Sequence, residues 1–468
     1  MFFTTPGSWS RATYLISPLL VIAALGGCSG HHSHLSTATA ERLVEDRLGS
    51  VVAEPTSWTA ATPLTADVAV SVAVRHDPAL LVKLSEIASG RADVLQASVG
   101  PNPTVGFGIG IAIDGLAGAP LAARGMQGLT WLWQRPHLIA HAEAKLQATV
   151  LDGADHALTL VASTRASHAG AVAAAALNNL AIDDAADQQR LLDITQHLFD
   201  QGEANRSDVE ASRSAVSAAH RATLQADDAF IQAKITLLGY LGVPTESLDF
   251  AVVPSPRERP ADHLLHDERG SMEALWRLAM TNRLDLAAAA AGVDAALAHR
   301  LLSNLKRYPQ LTASVRFAQS FSDREAILPG AELTLPIFDT GDAAVAKALA
   351  ALDTAVATRD QVMQNVQTEV RSAMEAWSSL DTQLSRLERE ELDLATSQLN
   401  RVRAHVNAGE SDDSDQLRAK IAWRRVQRQA ITLTHKTAVA SIELRRAVGG
   451  SWETHATIDT LSQRSDTP

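Results

Sequence analysis

The stretch Leu311–Phe321, LTASVRFAQSF, decides how this chain is read. Leu311, Ala313, Val315 and Phe317 fall on one side of an extended chain, and Thr312, Ser314, Arg316 and Ser320 fall on the other. That two-residue period describes a strand with one apolar and one polar face. The surrounding sequence is rich in alanine and reads as helix. A two-faced strand in such a protein needs partners.

Three further stretches share the pattern. Thr104–Ile113 sets Val105, Phe107, Ile109, Ile111 and Ile113 on one face, with only Thr, Gly and Ala on the other. Gly128–Gln134 groups Leu129, Trp131 and Trp133, and Gly330–Ile337 completes the set, while Asp114–Met126 reads as a loop. Their lengths and aromatic tips suit a membrane barrel, in which a strand of about nine to eleven residues crosses the bilayer. Four strands cannot close a barrel, because an open edge in lipid leaves N–H and C=O groups unpaired and small barrels use about eight strands. Several copies of the chain must therefore contribute to one barrel.

The remainder is predicted to be long helices. In the 468-residue chain aromatics are 4%, and the 46% apolar fraction is dominated by alanine, which suits close helix packing. Asp77 is a good N-cap with Pro78 at the first helical position, and that helix runs to Gly100-Pro101. No proline occurs between Pro136 and Pro244, nor between Pro336 and Pro468. Each proline-free block is broken once by a polar turn, at Gly202 and at Gly409. The helices before the turns are roughly sixty residues, about 90 Å at 1.5 Å per residue. Shorter ones follow, near Ser207–Tyr240 and Ser414–Val448.

These landmarks occur twice. Ala73 in SVAVRHDPALL corresponds to Ala279 in RLAMTNRLDLA, 206 positions later, and Asn102-Pro103 to Tyr308-Pro309. GLTWLWQRP corresponds to ELTLPIFDTG, FDQGEANRSDVEASR to VNAGESDDSDQLRAK, and YLGVP to AVGGS. The chain is read as two copies of one unit, at 64–244 and 272–450, joined by a linker at 245–271 and followed by a polar tail at 451–468.

The first 27 residues read as a secretory signal: an apolar run from Tyr14 to Leu25 follows Arg11 and is too short to span a membrane. Leu25-Gly26-Gly27-Cys28 resembles a bacterial lipobox, which implies cleavage before Cys28 and acylation, including palmitate, at that residue. Ser29 resembles the sorting residue of outer membrane cargo. Residues 28–63 form a lipid-anchored tether, and His31, His32 and His34 within it are read as solvated residues, not a metal site.

HDPAL, GPNPTVGFGIG, YPQLTASVRF, PGAELTLPIFDTG and the paired turns FDQGEANRSDV and VNAGESDDSDQ together resemble the TolC-like outer membrane efflux proteins, from about Leu64 to Gly450. The resemblance implies a mainly α fold with a membrane β-barrel portion: a homotrimer whose chains each give four strands to a shared 12-stranded barrel and helical hairpins to a periplasmic tube. It implies a passive exit duct in the bilayer of the bacterial outer membrane, passing small molecules or metal ions. The implied partners are a periplasmic adaptor protein and an inner-membrane efflux pump of the resistance-nodulation-division type. It also places the two turns at the periplasmic entrance, making Ser207, Asp208, Ser414 and Asp415 gate candidates. Glu410, Asp412 and Asp413 add carboxylates, and Arg206 is positioned to pair with acids of the second turn. A ring of acids favours cations; the same residues also suit helix capping and the helix dipole. Arg418 departs from the family pattern, standing where some relatives carry an acid.

Other classes fit poorly. A formal charge of -12 without a basic cluster argues against nucleic acid. His137 and His141 lie four apart, but Leu138 stands where a zinc-protease motif needs Glu. With no phosphate-binding glycine loop or nucleophile–base set, no enzymatic activity and no cofactor are expected. The alternatives are a type I protein secretion duct and a lipid-anchored helical scaffold without a pore.

Overall fold

A computed structural model describes residues 31–48, 58–111, 119–243, 248–256, 260, 268–320 and 324–453. Cys28, the expected signal peptide, about half of the linker, most of the tail, and the first part of the loop from Asp114 lie outside these residues. The helices are α1 (Thr37–Leu48), α2 (Ala66–His76), α3 (Pro78–Ser98), α4 (Trp131–Asp200), α5 (Arg206–Leu241), α6 (Glu268–Asn282), α7 (Leu284–Asn304), α8 (Asp342–Arg386), α9 (Asp393–Asn407) and α10 (Asp413–Ala447). A π-helical turn at Leu387–Leu392 joins α8 to α9. The strands are β1 (Thr104–Ile109), β2 (Leu121–Gly128), β3 (Gln310–Gln319) and β4 (Glu325–Thr334).

Asp77 closes one helix and opens the next. Its N–H donates to the Ala73 carbonyl at 2.9 Å, and its carboxylate accepts from the Leu80 N–H at 2.8 Å. With Pro78 lacking an N–H at the first helical position, no donor is wasted there.

The strands form one antiparallel sheet in the order β1-β2-β3-β4. The expected strand at Gly128–Gln134 is not one: only Gly128 is in β2, and Trp131 begins α4. Alternation over three positions fits a helix start as well as a strand. Here the Leu129 N–H donates to the Leu311 carbonyl at 2.8 Å and the Thr130 hydroxyl accepts from the Leu311 N–H at 2.8 Å, ending the ladder. Trp131 then lies over Gly100, where an added Cβ would sit 2.5 Å from the indole. The true second strand, LAARGMQG, lies in what reads as a loop. It has no β-branched residue, and it extends because both of its edges pair, with Leu121 opposite Ile109 and Ala122 opposite Ala318. β4 starts five residues before the expected Gly330 and contains Pro329. Proline is tolerated there because β4 is an edge strand.

Residues fall into two compact units. One holds the sheet, with Ser85–Val150 and Ala287–Asp360. In it Ile87, Val94 and Leu146 are fully buried, and Gly90 allows Leu146 to approach closely. The other unit comprises Ala38–Leu84, Leu151–Leu286 and Gln361–Pro468 and contains both hairpin ends. In one cluster Leu275 and Ala279 of α6 pack with Val366, Val370 and Trp377 of α8 and with Leu444 and Ala447 of α10. A second cluster joins Leu64, Val72, Ala73, Ala171, Leu237, Leu241 and Phe250. There the buried His168 ring hydrogen-bonds the Leu64 carbonyl at 3.0 Å, and burial lowers its pKa.

α10 ends against Asn282. Gly449 has φ +95°, and an added Cβ would lie 2.6 Å from the Asn282 Cβ and 2.7 Å from its carbonyl carbon. Gly449→Ala is expected to cost about 2–3 kcal/mol, combining backbone strain with overpacking. Gly202 has φ +79° in open space, and Gly202→Ala is expected to cost only about 1 kcal/mol. Thermal unfolding followed by circular dichroism compares them; equal losses would show that Asn282 moves aside freely.

Candidate functional site

The two hairpin turns are built alike. Gly202 and Gly409 adopt left-handed φ values of 79° and 75°. Each turn caps its helix C-terminus with backbone donors, including the Glu203 N–H to the Leu198 carbonyl and the Glu410 N–H to the His405 carbonyl. This is the backbone geometry that makes glycine favourable one residue past the cap that ends a helix.

The helices that follow open with side-chain caps. Asn205 accepts from the Asp208 N–H at 3.0 Å, and the Asp208 carboxylate accepts from the Asn205 N–H at 3.2 Å, a reciprocal capping box. Ser207 donates to Asn205 Oδ1 at 2.5 Å. In the second turn Asp412 accepts from the Ser414 hydroxyl at 2.7 Å and from the Asp415 N–H at 2.9 Å. Those two bonds, the hydroxyl foremost, hold the Asp412 carboxyl below the usual carboxylate range.

The other candidates are also engaged locally. Glu410 meets His405 Nδ1 at 2.6 Å, Asp415 meets Arg418 at 3.5 Å, and Arg206 meets Glu210 of its own helix at 3.0 Å. Ser414 is buried, whereas Arg206, Ser207, Asp208, Glu410, Asp412, Asp413 and Asp415 are exposed. The structure thus places all eight residues at two polar helix starts. Asn205, the first of the two caps, escaped the sequence reading, although an Asn three residues before an Asp is the signal for it.

A larger omission lies further along the hairpins. Lys420, Arg424 and Arg428 recur every fourth residue on one face of α10, opposite Asp183, Asp184 and Asp187 of α4. Arg424 is ion-paired with Asp187, the two being only 6% and 2% exposed. Lys420 reaches Asp187 at 3.0 Å, Arg424 reaches Asp183 at 3.4 Å, and Arg428 reaches Asp184 at 3.4 Å. The four-residue spacing was visible in KIAWRRVQR and DDAAD, but which helices face each other was not.

A second ionic cluster surrounds Arg283. It meets Asp285 at 2.6 Å and Glu369 at 2.8 Å. Burial alone would lower its pKa, but the bonds to these carboxylates outweigh that and raise it. Partly buried Asp155 nearby is pushed up to about 6, by burial first and then by repulsion from Asp285. Elsewhere, the His141 ring hydrogen-bonds the Ala295 carbonyl at 2.8 Å and lies 5.3 Å from the His299 ring. Among the described residues no group of three or more His, Cys, Asp or Glu is arranged to hold a metal ion.

Long hairpins and a two-faced four-stranded sheet in one chain are also the fold of solved outer membrane proteins. Solved structures share it: the outer membrane channel CmeC of Campylobacter jejuni has a TM-score of 0.67 at 11% identity, covering 89% of this chain and 95% of that one. The outer membrane protein VceC of Vibrio cholerae gives 0.65 at 15% identity, covering 83% and 97%. Residues 275–450 match the family described as outer membrane efflux protein. The pyoverdine export outer membrane protein OpmQ of Pseudomonas aeruginosa is 27% identical over 236 residues, covering 47% of each chain. The match therefore spans about half the length of that relative. Residues 275–450 thus carry the match to outer membrane efflux proteins, and the chain as a whole shares the fold of the solved outer membrane proteins.

Two variants test the ionic clusters. Arg424→Met leaves Asp187 buried with a weakened counter-charge and should cost about 3–5 kcal/mol, whereas Arg424→Met with Asp187→Asn should recover most of it. Denaturant unfolding measures both; a double variant no more stable than the single would refute a paired role. For Asp155, a carboxyl pKa raised on folding contributes stability at low pH that is lost as pH rises towards about 6. Asp155→Asn should match the native chain near pH 4 and gain an advantage in Tm that opens up to about pH 6 and stays level above it.

Proposed function

We propose that three copies of this chain form the passive exit duct of a tripartite export system, with their twelve strands closing one barrel. The observation that carries this reading is the sheet: its edges β1 and β4 have no strand partner among the described residues. Val105, Phe107, Ile109, Val315, Phe317, Ile327 and Leu333 share one face. Phe107 and Ile109 are 79% and 69% exposed on it. A surface of that kind belongs against lipid, and lipid does not tolerate the open edges. Pairing β4 of one copy with β1 of the next satisfies both conditions.

The sequence repeat at 64–244 and 272–450 supports the same reading, since two strands followed by a long hairpin occur in each half. Cys28 is proposed as the lipid anchor, 28–63 as its tether, 245–271 as the linker and 451–468 as a polar tail. The hairpin turns are proposed as the entrance that meets a periplasmic adaptor, with an inner-membrane pump of the resistance-nodulation-division type supplying energy. A relative named for pyoverdine export supports outward transport of solutes.

In mild detergent the native chain should have the mass of a trimer and form pores in planar bilayers. A monomer without pores would favour the scaffold alternative. Asp415→Asn should reduce the cation preference of single-pore current; unchanged selectivity would remove that residue from the constriction.

A further inference from the structure

The polar face of the sheet carries an unusual charge arrangement. Arg124 on β2 is directly opposite Arg316 on β3. Like charges in that position destabilise an antiparallel pair. The neighbouring pairs on this face, Ala122 with Ala318 and Met126 with Ser314, are uncharged. One carboxylate answers the two arginines: Glu332 of β4, opposite Thr312, is ion-paired with Arg124. Arg316 is exposed and faces Leu328 across the β3–β4 ladder. The strands therefore hold one uncompensated positive charge per chain on this face.

We propose that Arg316, with Arg124 beside it, is an anion-binding station on the channel-lining face of the barrel, favouring solutes that carry carboxylate, phosphate or sulfate groups. The proposal rests on the shared barrel described above, in which the apolar face meets lipid and the opposite face lines the aqueous interior. Strand parity assigns Arg316 to the interior side, with Thr312 and Ser314, and away from the side of Phe317. Chemistry supplies the ligand class. A guanidinium is always charged, and its forked donors fit two oxygens of an oxyanion at once. Two of them side by side repel each other until an anion lies between or above them. Threefold assembly would repeat the station around the pore, the arrangement by which arginine rings select anions.

The test uses the full-length assembled protein in planar bilayers under a potassium chloride gradient, with inorganic pyrophosphate as the probe anion. Arg316→Gln should lower the chloride-to-potassium permeability ratio about twofold and weaken block of the current by pyrophosphate. Glu332→Gln, which releases Arg124, should move both readouts the opposite way, and Arg316→Lys should retain most of the native ratio. If Arg316→Gln does not assemble, the direction of the Glu332→Gln shift decides. Unchanged permeability ratio and unchanged pyrophosphate block in conducting variants would overturn the station. Failure of the native protein itself to conduct would instead overturn the barrel on which it rests.

Discussion

Backbone hydrogen bonding at the two ends of a short sheet is the constraint from which the rest of this structure follows. Each strand brings donors and acceptors on both sides, and β2 and β3 spend theirs on one another and on β1 and β4. The ladder between β2 and β3 joins parts of the chain nearly two hundred residues apart, with Gly128 opposite Thr312. It is also what turns the chain out of the sheet at Thr130, whose hydroxyl occupies the last backbone donor of that ladder. Nothing in the sheet itself satisfies the outer sides of β1 and β4. In water they would be solvated, but the apolar face beside them argues for a solvent that offers no hydrogen bonds.

The parts of the fold written in local chemistry were legible. Asp77-Pro78, Gly202 and Gly409 mark helix ends through caps and φ values that few other residues provide, and β1 and β3 alternate clearly. β2 was not legible because Ala122, Ala123, Gly125 and Gly128 carry no preference for either face. Its conformation comes from neighbours on both sides. Pro329 obscured the start of β4 for the opposite reason: proline usually marks a boundary, yet β4, at the edge of the four-stranded sheet of one chain, tolerates it. At the turns, residue types gave the location of Asp208 and Asp415, while their capping and ion-pair contacts required coordinates.

The helical hairpins raise a separate problem of specificity. Interfaces rich in alanine allow close approach but offer few large side chains to fix how one helix lies along another. A displacement by one turn would exchange one small residue for another at modest cost. The Arg424–Asp187 pair forbids that displacement, because moving either helix by a turn would strand a buried charge. Lys420 and Arg428, one turn away on either side, extend the same registration. The cluster around Arg283 does similar work where α6, α8 and α10 meet, since one guanidinium serves Asp285, Glu369 and the Ala447 carbonyl.

Charge placement separates two kinds of polar residue in the chain. The acids at the hairpin turns are held by nearby groups: Asp412 by its capping bonds, Asp208 by its box, Glu410 by His405 and Asp415 by Arg418. Such residues stabilise helix ends whatever passes by, and exposed pairs of this kind are weakened by salt. Arg316 differs because its nearest partner in the sheet has the same sign. A fold gains nothing from that opposition, so the arginine is retained at a small cost in stability. In the proposed duct such a group would raise the local concentration of counter-ions within about 8 Å without consuming energy. Under that proposal the direction of transport would belong to whatever delivers the solute, and the barrel face would influence which solutes linger.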